Sequence, residues 1–529
     1  MSMIVDILVN DLRALIKDIG KDGGLMSPSI YDTAQVLRLY PAEGRIWPAV
    51  NWLLDQQQAD GGWGSPSLPL SRAVPTLAAI MALRRYCERR TTIDALEKGK
   101  TFLRRQLCHW NKPLPDDLPV GMEVLLPYLF EEAAREEFED ERAGVPIKVR
   151  LDLSLAPYKE LIALGERKRA KIRRYRPGPG TTASYSWEAW GEQADPAILD
   201  ATGGVGHSPA ATAAWLRAAN RNPALADEIM RAEDYLAGAA RATSEHTPGI
   251  YPTAWPITRF EQSFCLYALV VGDLLELPKI QDVLQPQIAD LGAALTPTGL
   301  GFSDDFMPDG DDTAAAVAVL LNAKAPVDLQ VMSHYEDEKF CIAYPGEDQP
   351  SISVTARALH ALDIADKDKK RDQAQEQSIL RWVKTCLEHQ QLDGSWLGDK
   401  WNSSWLYTTC HTMIALKNSG HADRIREAIG ALRVNQFPDG GWGLINRSTT
   451  VETAYAVLAL HNLRDHSAMD ADDLKMLRRG YRWLMTHYRP FRMKEYKCWL
   501  NKEIFCPQRI DRAYELAALL AVTLGGVPR

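Results

Sequence analysis

Apolar positions recur at helical spacing along nearly the whole chain. Ile4, Leu8, Leu12, Leu15 and Ile19 fall on one helical stripe, with Asp6, Asp11 and Asp18 between them, which predicts an amphipathic helix at the N-terminus. Four later runs are denser in small and apolar residues: Thr76 to Leu83, Thr313 to Leu321, Thr408 to Leu416 and Thr450 to Leu460. Their Ala-rich faces predict helices packed closely on other helices. Period-2 alternation is nearly missing, so strands contribute little and the predicted fold is all-α.

The helical runs follow a repeated turn. Gln57-x-x-Asp60-Gly61-Gly62-Trp63-Gly64 recurs as Gln390-x-x-Asp393-Gly394-Ser395-Trp396 and as Gln436-x-x-Asp439-Gly440-Gly441-Trp442-Gly443. Weaker copies stand ahead of Ser208–Trp215, Tyr251–Trp255, the Asp-rich segment at 309–312 and Ser351–Arg357. Gly204, Gly249, Gly301, Gly346, Gly394 and Gly440 are separated by 45 to 52 residues. A period of that length marks a repeated supersecondary unit, here helix, Gly-turn, helix. A ring of such hairpins forms an α-barrel, and two sets of repeats predict two. Pro and charge cluster at 109–118 and 131–150, which predicts long loops, and a domain break is expected near residue 290, after Pro286.

Composition narrows the function classes. At 529 residues the chain exceeds one ordinary core. Its 46% hydrophobic and 25% charged residues describe a globular protein. A net charge of −8 argues against a nucleic-acid partner. Eight scattered cysteines without a Cys-x-x-Cys pair read as free thiols in a reducing, cytoplasmic setting, and no apolar stretch approaches the ~18 residues a bilayer span needs.

The most informative chemistry is Asp309-Gly310-Asp311-Asp312, just ahead of an apolar helical run. Asp and Gly before a helix are ordinary capping residues, and the helix N-terminus favours ionised carboxylates. Crowding of like charges and burial act the other way and keep a carboxyl protonated, which creates an acid able to protonate a poor base. The Asp-x-Asp-Asp pattern resembles the acid motif of class II terpene cyclases, and the Gln-x-x-Asp-Gly-x-Trp repeat is similar to the "QW" motif of triterpene and diterpene cyclases. Ser27-Pro28-Ser29-Ile30-Tyr31-Asp32-Thr33-Ala34, Gly121-Met122-Glu123-Val124 with Pro127 to Glu131, and Trp499-Leu500-Asn501-Lys502-Glu503 with Phe505 and Pro507 resemble three segments of copalyl-diphosphate-synthase-like enzymes, with Asn501 where that family has Gly.

The resemblance implies a βγ double α-barrel related to squalene-hopene cyclases. Residues 1–22 would be the first helix of the β domain, 23–290 the γ domain, and 291–529 the rest of the β domain with the acid motif. It implies a class II diterpene cyclase that protonates geranylgeranyl diphosphate and closes it to a bicyclic diterpenyl diphosphate of copalyl, halimadienyl or clerodane (kolavenyl) type, with the diphosphate retained. Conversion of farnesyl to drimenyl diphosphate is the near alternative. By the same resemblance Asp311 is the general acid, tuned by Asp309 and Asp312. Thr355 occupies the place of an Asn that bonds the acid in plant relatives. Tyr185 replaces the His, and Gly249 the Asn, of a plant pair that holds the deprotonating water. Lys168, Lys502 and Arg509 are candidate diphosphate ligands, and Glu131 a candidate magnesium ligand. The basic run Arg167–Arg176 also reads as a solvated helix face. The expected partners are a small-molecule prenyl diphosphate and a downstream class I terpene synthase, with the chain a monomer or homodimer.

Three other classes are consistent with parts of the pattern. Paired carboxylates and many Trp suit an (α/α)-barrel glycoside hydrolase. The period suits a helical-repeat scaffold. Cys410-His411 would be the zinc signature of a protein prenyltransferase subunit, though adjacent ligands are poorly spaced.

Overall fold

The computed structural model describes residues 2–66, 68–110, 120–220, 222–243, 247–347, 349–366 and 371–526. Among them helices predominate, and the strands are three two-residue antiparallel pairs. Six helices close a ring in which each packs on the next: Thr258–Val271, Gly310–Asn322, Ile352–Asp366, Trp405–Ala415, Thr450–Asn462 and Gln508–Gly525, the last returning to the first. Helices Gln281–Ala294, Gln373–Glu388, Ala422–Val434 and Ala471–His487 pack outside it, as does Ser2–Asp18, which lies on Gln508–Gly525 and Gln281–Ala294. In the other barrel Ile30–Leu39, Ala73–Leu83, Met122–Arg142, the short turn Ser184–Ala189 and Pro209–Ala219 follow one another around the ring.

The repeated turn explains how one hairpin is fastened to the next. In each complete copy the Gln side chain donates two hydrogen bonds. Gln57 reaches Gly61 O (2.8 Å) and Ala95 O (2.7 Å), Gln390 reaches Gly394 O and Arg424 O (both 2.9 Å), and Gln436 reaches Gly440 O (2.8 Å) and Met476 O (3.0 Å). One acceptor is in the turn itself and the other in the first or second turn of the following outer helix. Asp60, Asp393 and Asp439 accept from the N–H two residues on. The indole N–H of Trp63, Trp396 and Trp442 donates to the carbonyl ten residues earlier, on the preceding outer helix. Gly61, Gly394 and Gly440 adopt φ of +93°, +89° and +99°. A Cβ there would also strike backbone of the next outer helix, at 2.5, 2.3 and 3.0 Å.

A second device recurs more often. The backbone N–H of Trp63, Trp396, Trp442, Leu300, Val205 and Cys341 each donates to a Thr hydroxyl in the following inner helix, namely Thr76, Thr409, Thr453, Thr313, Thr212 and Thr355, at 2.8 to 3.3 Å. All six threonines are fully buried, so each bond satisfies a backbone donor that would otherwise be orphaned.

Two expectations change. Helices Thr258–Val271 and Gln281–Ala294 belong to the same apolar core as the acid helix Gly310–Asn322, while residues 30–250 form separate cores. The division therefore lies near residue 257 and not near 290; Pro286 sits inside a helix rather than at a break. Residues 131–142 are helical, not loop. Their charges are paired on the helix and across it: Arg38 donates to Glu132 (3.2 Å) and Glu136 (2.7 Å), Arg84 to Glu136 (2.7 Å), and Arg135 bridges Glu132 within the helix. Of the other predicted loop, residues 111–118 lie outside the described residues, and 110 closes a helix.

Candidate active site

The acid motif begins as a helix cap. Asp309 has extended backbone, and its Oδ1 accepts the N–H groups of Asp311 (2.9 Å) and Asp312 (2.8 Å). Ser29, Ser208 and Thr449 do the same at the head of other inner helices. The capping and catalytic readings of Asp-x-Asp-Asp are thus compatible: a repeat position that elsewhere carries a hydroxyl here carries a carboxylate.

Asp312 faces inward, where Ser263 Oγ donates to its Oδ1 at 2.8 Å. Burial and the adjacent Asp309 hold Asp312 well above the ordinary carboxylate range, and burial raises Asp309 as well. The two share a hydrogen bond, so the pair holds a proton between them. Asp311 sits in the first turn of the helix with its carboxyl at a cavity wall. Burial raises it and the neighbouring Arg357 opposes that rise, leaving the acid above its usual value. Arg357 Nε donates to Asp311 Oδ1 at 2.8 Å. Its guanidinium is fully buried, bonds Tyr407 OH, and lies over the rings of Phe264 (4.3 Å), Tyr267 (4.9 Å) and Tyr407 (5.8 Å). Ring faces supply the stabilisation that water cannot reach to provide.

The cavity spans about 830 Å³ of empty space, open solvent at its mouth included. Phe260, Phe264, Phe302, Phe306, Trp401, Trp499 and Phe505 line it from one barrel; Val120, Thr182, Tyr185, His207 and Ala254 line it from the side of the other. Phe260 stacks on Phe302 with 5.0 Å between centroids and meets Trp499 edge-on at 5.6 Å. Trp499 is fixed from behind by Asp511, which accepts its indole N–H at 3.1 Å. The carboxyls of the acid motif are the acidic groups on this wall among the described lining residues. A glycoside hydrolase would need polar groups for sugar hydroxyls along it.

Asp309, Asp311, Asp312 and Tyr185 thus meet at one cavity; the other predicted residues do not. Thr355 donates to Cys341 O and Ser351 O and accepts from Cys341 N. It belongs to the repeated Thr device, and the acid's partner is Arg357, two residues on. Tyr185 lines the cavity, but its hydroxyl donates to Thr253 O at 2.9 Å, and burial raises the phenol well above its ordinary value; it presents a ring rather than a base. Lys502 is buried and donates to Glu188 (2.7 Å) and Ser208 (2.6 Å). Arg509 is buried on Glu261 (2.9 Å). Neither reaches the cavity, and both are committed to buried carboxylates. Lys168 pairs at 2.9 Å with Glu123 of the adjoining helix Met122–Arg142. Both oxygens of Glu131 are taken by Arg169, at 2.5 and 2.7 Å, and no cluster of three acidic, His or Cys side chains suited to a metal occurs among the described residues. Glu131 therefore does not fit a resident magnesium site. Cys410 and His411 are likewise buried in the helix Trp405–Ala415, with His411 bonded to Tyr407 O and Tyr514 OH, which excludes the zinc reading.

Two residues of the site, one behind the acid and one on the cavity wall, were not singled out from sequence. Arg357 looked like one more charge in an Ala-rich helix; its signal was an Arg one turn into a run otherwise free of charge. His207 lines the cavity between Asp200 and Ser303. It stands just before the capping residue, where Pro28 and Pro308 stand in other copies.

Residues 337–491 match the family model for the squalene-hopene cyclase C-terminal domain. The chain is 67% identical to a (+)-kolavenyl diphosphate synthase of Herpetosiphon aurantiacus, covering 99% of both chains. It is 30% identical to an ent-copalyl diphosphate synthase of a Streptomyces species, over 96% of both. Among solved structures, ent-copalyl diphosphate synthase from Streptomyces platensis superposes with a TM-score of 0.75 at 26% identity, over 97% of this chain and 99% of that one.

Proposed function

The chain belongs to the class II diterpene cyclases, and we propose that it converts geranylgeranyl diphosphate to a bicyclic diterpenyl diphosphate of the kolavenyl type. The family and the reaction class follow from the full-length relatives. The kolavenyl skeleton rests on the 67% identity over the whole chain to an enzyme of that name, and a C20 rather than a C15 substrate follows from the same relative.

The observation that carries the mechanism is the Asp311 carboxyl, bonded by Arg357 and set in an aromatic cavity. With Arg357 Nε–H on Oδ1, the proton resides on Oδ2. That oxygen delivers it to the terminal double bond, and the electron pair of the alkene forms the new C–H bond. Burial keeps the acid loaded, while the adjacent guanidinium stabilises the carboxylate left behind and so strengthens the acid. The cationic carbon is attacked in turn by the internal double bonds. Phe260, Phe264, Phe302 and Trp499 present π faces to the cation without a lone pair that would capture it. The paired Asp309 and Asp312 hold one proton between them and fix the helix start, which keeps a second free carboxylate off the reaction path. Rearrangement and loss of a proton end the reaction with the diphosphate intact.

Incubation with geranylgeranyl diphosphate in magnesium buffer, dephosphorylation and mass spectrometry test this reading. A bicyclic C20 alcohol matching a kolavenol standard supports it. Recovery of linear geranylgeraniol alone, with farnesyl diphosphate cyclised instead, would reject the substrate assignment.

A further inference from the structure

The cation must lose a proton, and Tyr185 is not equipped to take it. We propose that the buried pair Ser303–His207 is the terminal proton acceptor, held by Asp200. This rests on the cyclase reading above.

His207 lines the cavity and meets Phe306 edge-on, with 5.2 Å between centroids. Its Nδ1 lies 2.9 Å from Asp200 Oδ2, and its Nε2 lies 2.5 Å from Ser303 Oγ. All three residues are buried. Asp200 Oδ1 already accepts the N–H and hydroxyl of Thr202. The remaining oxygen therefore accepts the Nδ1 proton and fixes the imidazole tautomer. Nε2 is then a lone pair, and the Ser303 hydroxyl donates to it. Ser303 Oγ accepts the Asp305 N–H at 3.1 Å and keeps a second lone pair. Phe302, the residue before Ser303, and Phe306, three residues after it, both line the cavity.

The arrangement is that of a nucleophile, a base and an orienting acid, but in a site with no acyl group to attack. Against a carbocation it is a proton sink. A C–H bond beside the cationic carbon breaks, and its electron pair forms the product double bond. The proton goes to Ser303 Oγ as the hydroxyl's own proton passes to Nε2. Serine ends neutral, and imidazolium is balanced by the Asp200 carboxylate; solvent exchange resets the pair after release.

Placement supports a role beyond structure. His207 has φ of +59°, a left-handed conformation that is uncommon outside glycine and that concentrates at functional sites. Asp200 and His207 come from one barrel and Ser303 from the other, so the acceptor is assembled only when the two barrels close the cavity.

The test compares His207→Gln, Ser303→Ala and Asp200→Asn with the wild type at saturating geranylgeranyl diphosphate, on protein shown folded by circular dichroism. Asp311 is untouched, so the bicyclic cation still forms. The proposal predicts that the wild-type alkene isomer falls about tenfold or more, replaced by other double-bond isomers or water-captured bicyclic alcohols. A merely structural tie would lower the melting temperature and leave the product ratio alone. An unchanged single product in folded His207→Gln and Ser303→Ala overturns the proposal; should His207→Gln fail to fold, Ser303→Ala decides by the same readout. Lack of any bicyclic product from the wild type would instead reject the cyclase reading itself.

Discussion

Arg357 Nε donates to Asp311 Oδ1 over 2.8 Å from a guanidinium that is itself enclosed by three aromatic rings. This pair sets both the orientation and the strength of the acid. Arg357→Lys should lower kcat about a hundredfold, because a point charge replaces a directed N–H. The sign of the pH effect is opposite to that of the rate. Arg357 lowers the Asp311 pKa against the rise caused by burial, so Arg357→Gln, which removes the charge that Arg357→Lys keeps, raises that pKa. The protonated acid then persists to higher pH, and the alkaline limb of the kcat profile moves up. A limb that stays put or moves down would show that Arg357 does not govern Asp311.

Thr355 and Arg357 sit two residues apart, and only the second should matter to chemistry. Thr355→Val removes the acceptor of the Cys341 N–H and should lower stability by about 1–3 kcal/mol. Its kcat and product should stay within about twofold of wild type. Denaturant melts alongside steady-state kinetics check both.

Lys502→Met and Arg509→Met should behave as structural lesions. Each strips the partner from a buried carboxylate, Glu188 or Glu261, a change that costs about 3–5 kcal/mol. In whatever fraction remains folded, KM for geranylgeranyl diphosphate should change less than about threefold. A tenfold rise in KM with stability unchanged would return either residue to the diphosphate.

Stability should carry a mark of the buried acids. Burial raises Asp511 to about 7, above its unfolded value. Such a carboxyl contributes stability that is fully present below the unfolded pKa, near 4, and lost as pH rises through about 7. Asp511→Asn keeps an acceptor for Trp499 and does not ionise. It should therefore flatten the loss of melting temperature between pH 5 and 8, an effect worth up to about 4 kcal/mol. An identical pH slope in the two proteins would mean that Asp511 is ionised in the fold throughout.

The helical class and the repeat were legible because both are local. The Gln, Asp, Gly and Trp of each turn act within ten residues or on the next outer helix. The acid motif was legible for the same reason, since Asp309 caps the helix that carries Asp311. Partners set by tertiary packing were not. Lys502 lies in, and Arg509 just past, a segment that resembles the family's, yet their charges are cancelled by Glu188 and Glu261, hundreds of residues away in sequence. Arg357 and His207 gain their roles only when helices distant in sequence close around one cavity. The barrel boundary was misplaced because Pro286 and the following turn read as a break, whereas the apolar faces of Thr258–Val271 and Gln281–Ala294 turn to the second core.

The most direct test of the central claim is cyclisation in deuterium oxide, with the dephosphorylated product weighed by mass spectrometry. If Asp311 starts the reaction, its exchangeable deuterium forms a carbon–deuterium bond. The bicyclic product is then one mass unit heavier than in water, with no inorganic pyrophosphate released. A product free of carbon-bound deuterium, or pyrophosphate appearing in step with turnover, would contradict the account.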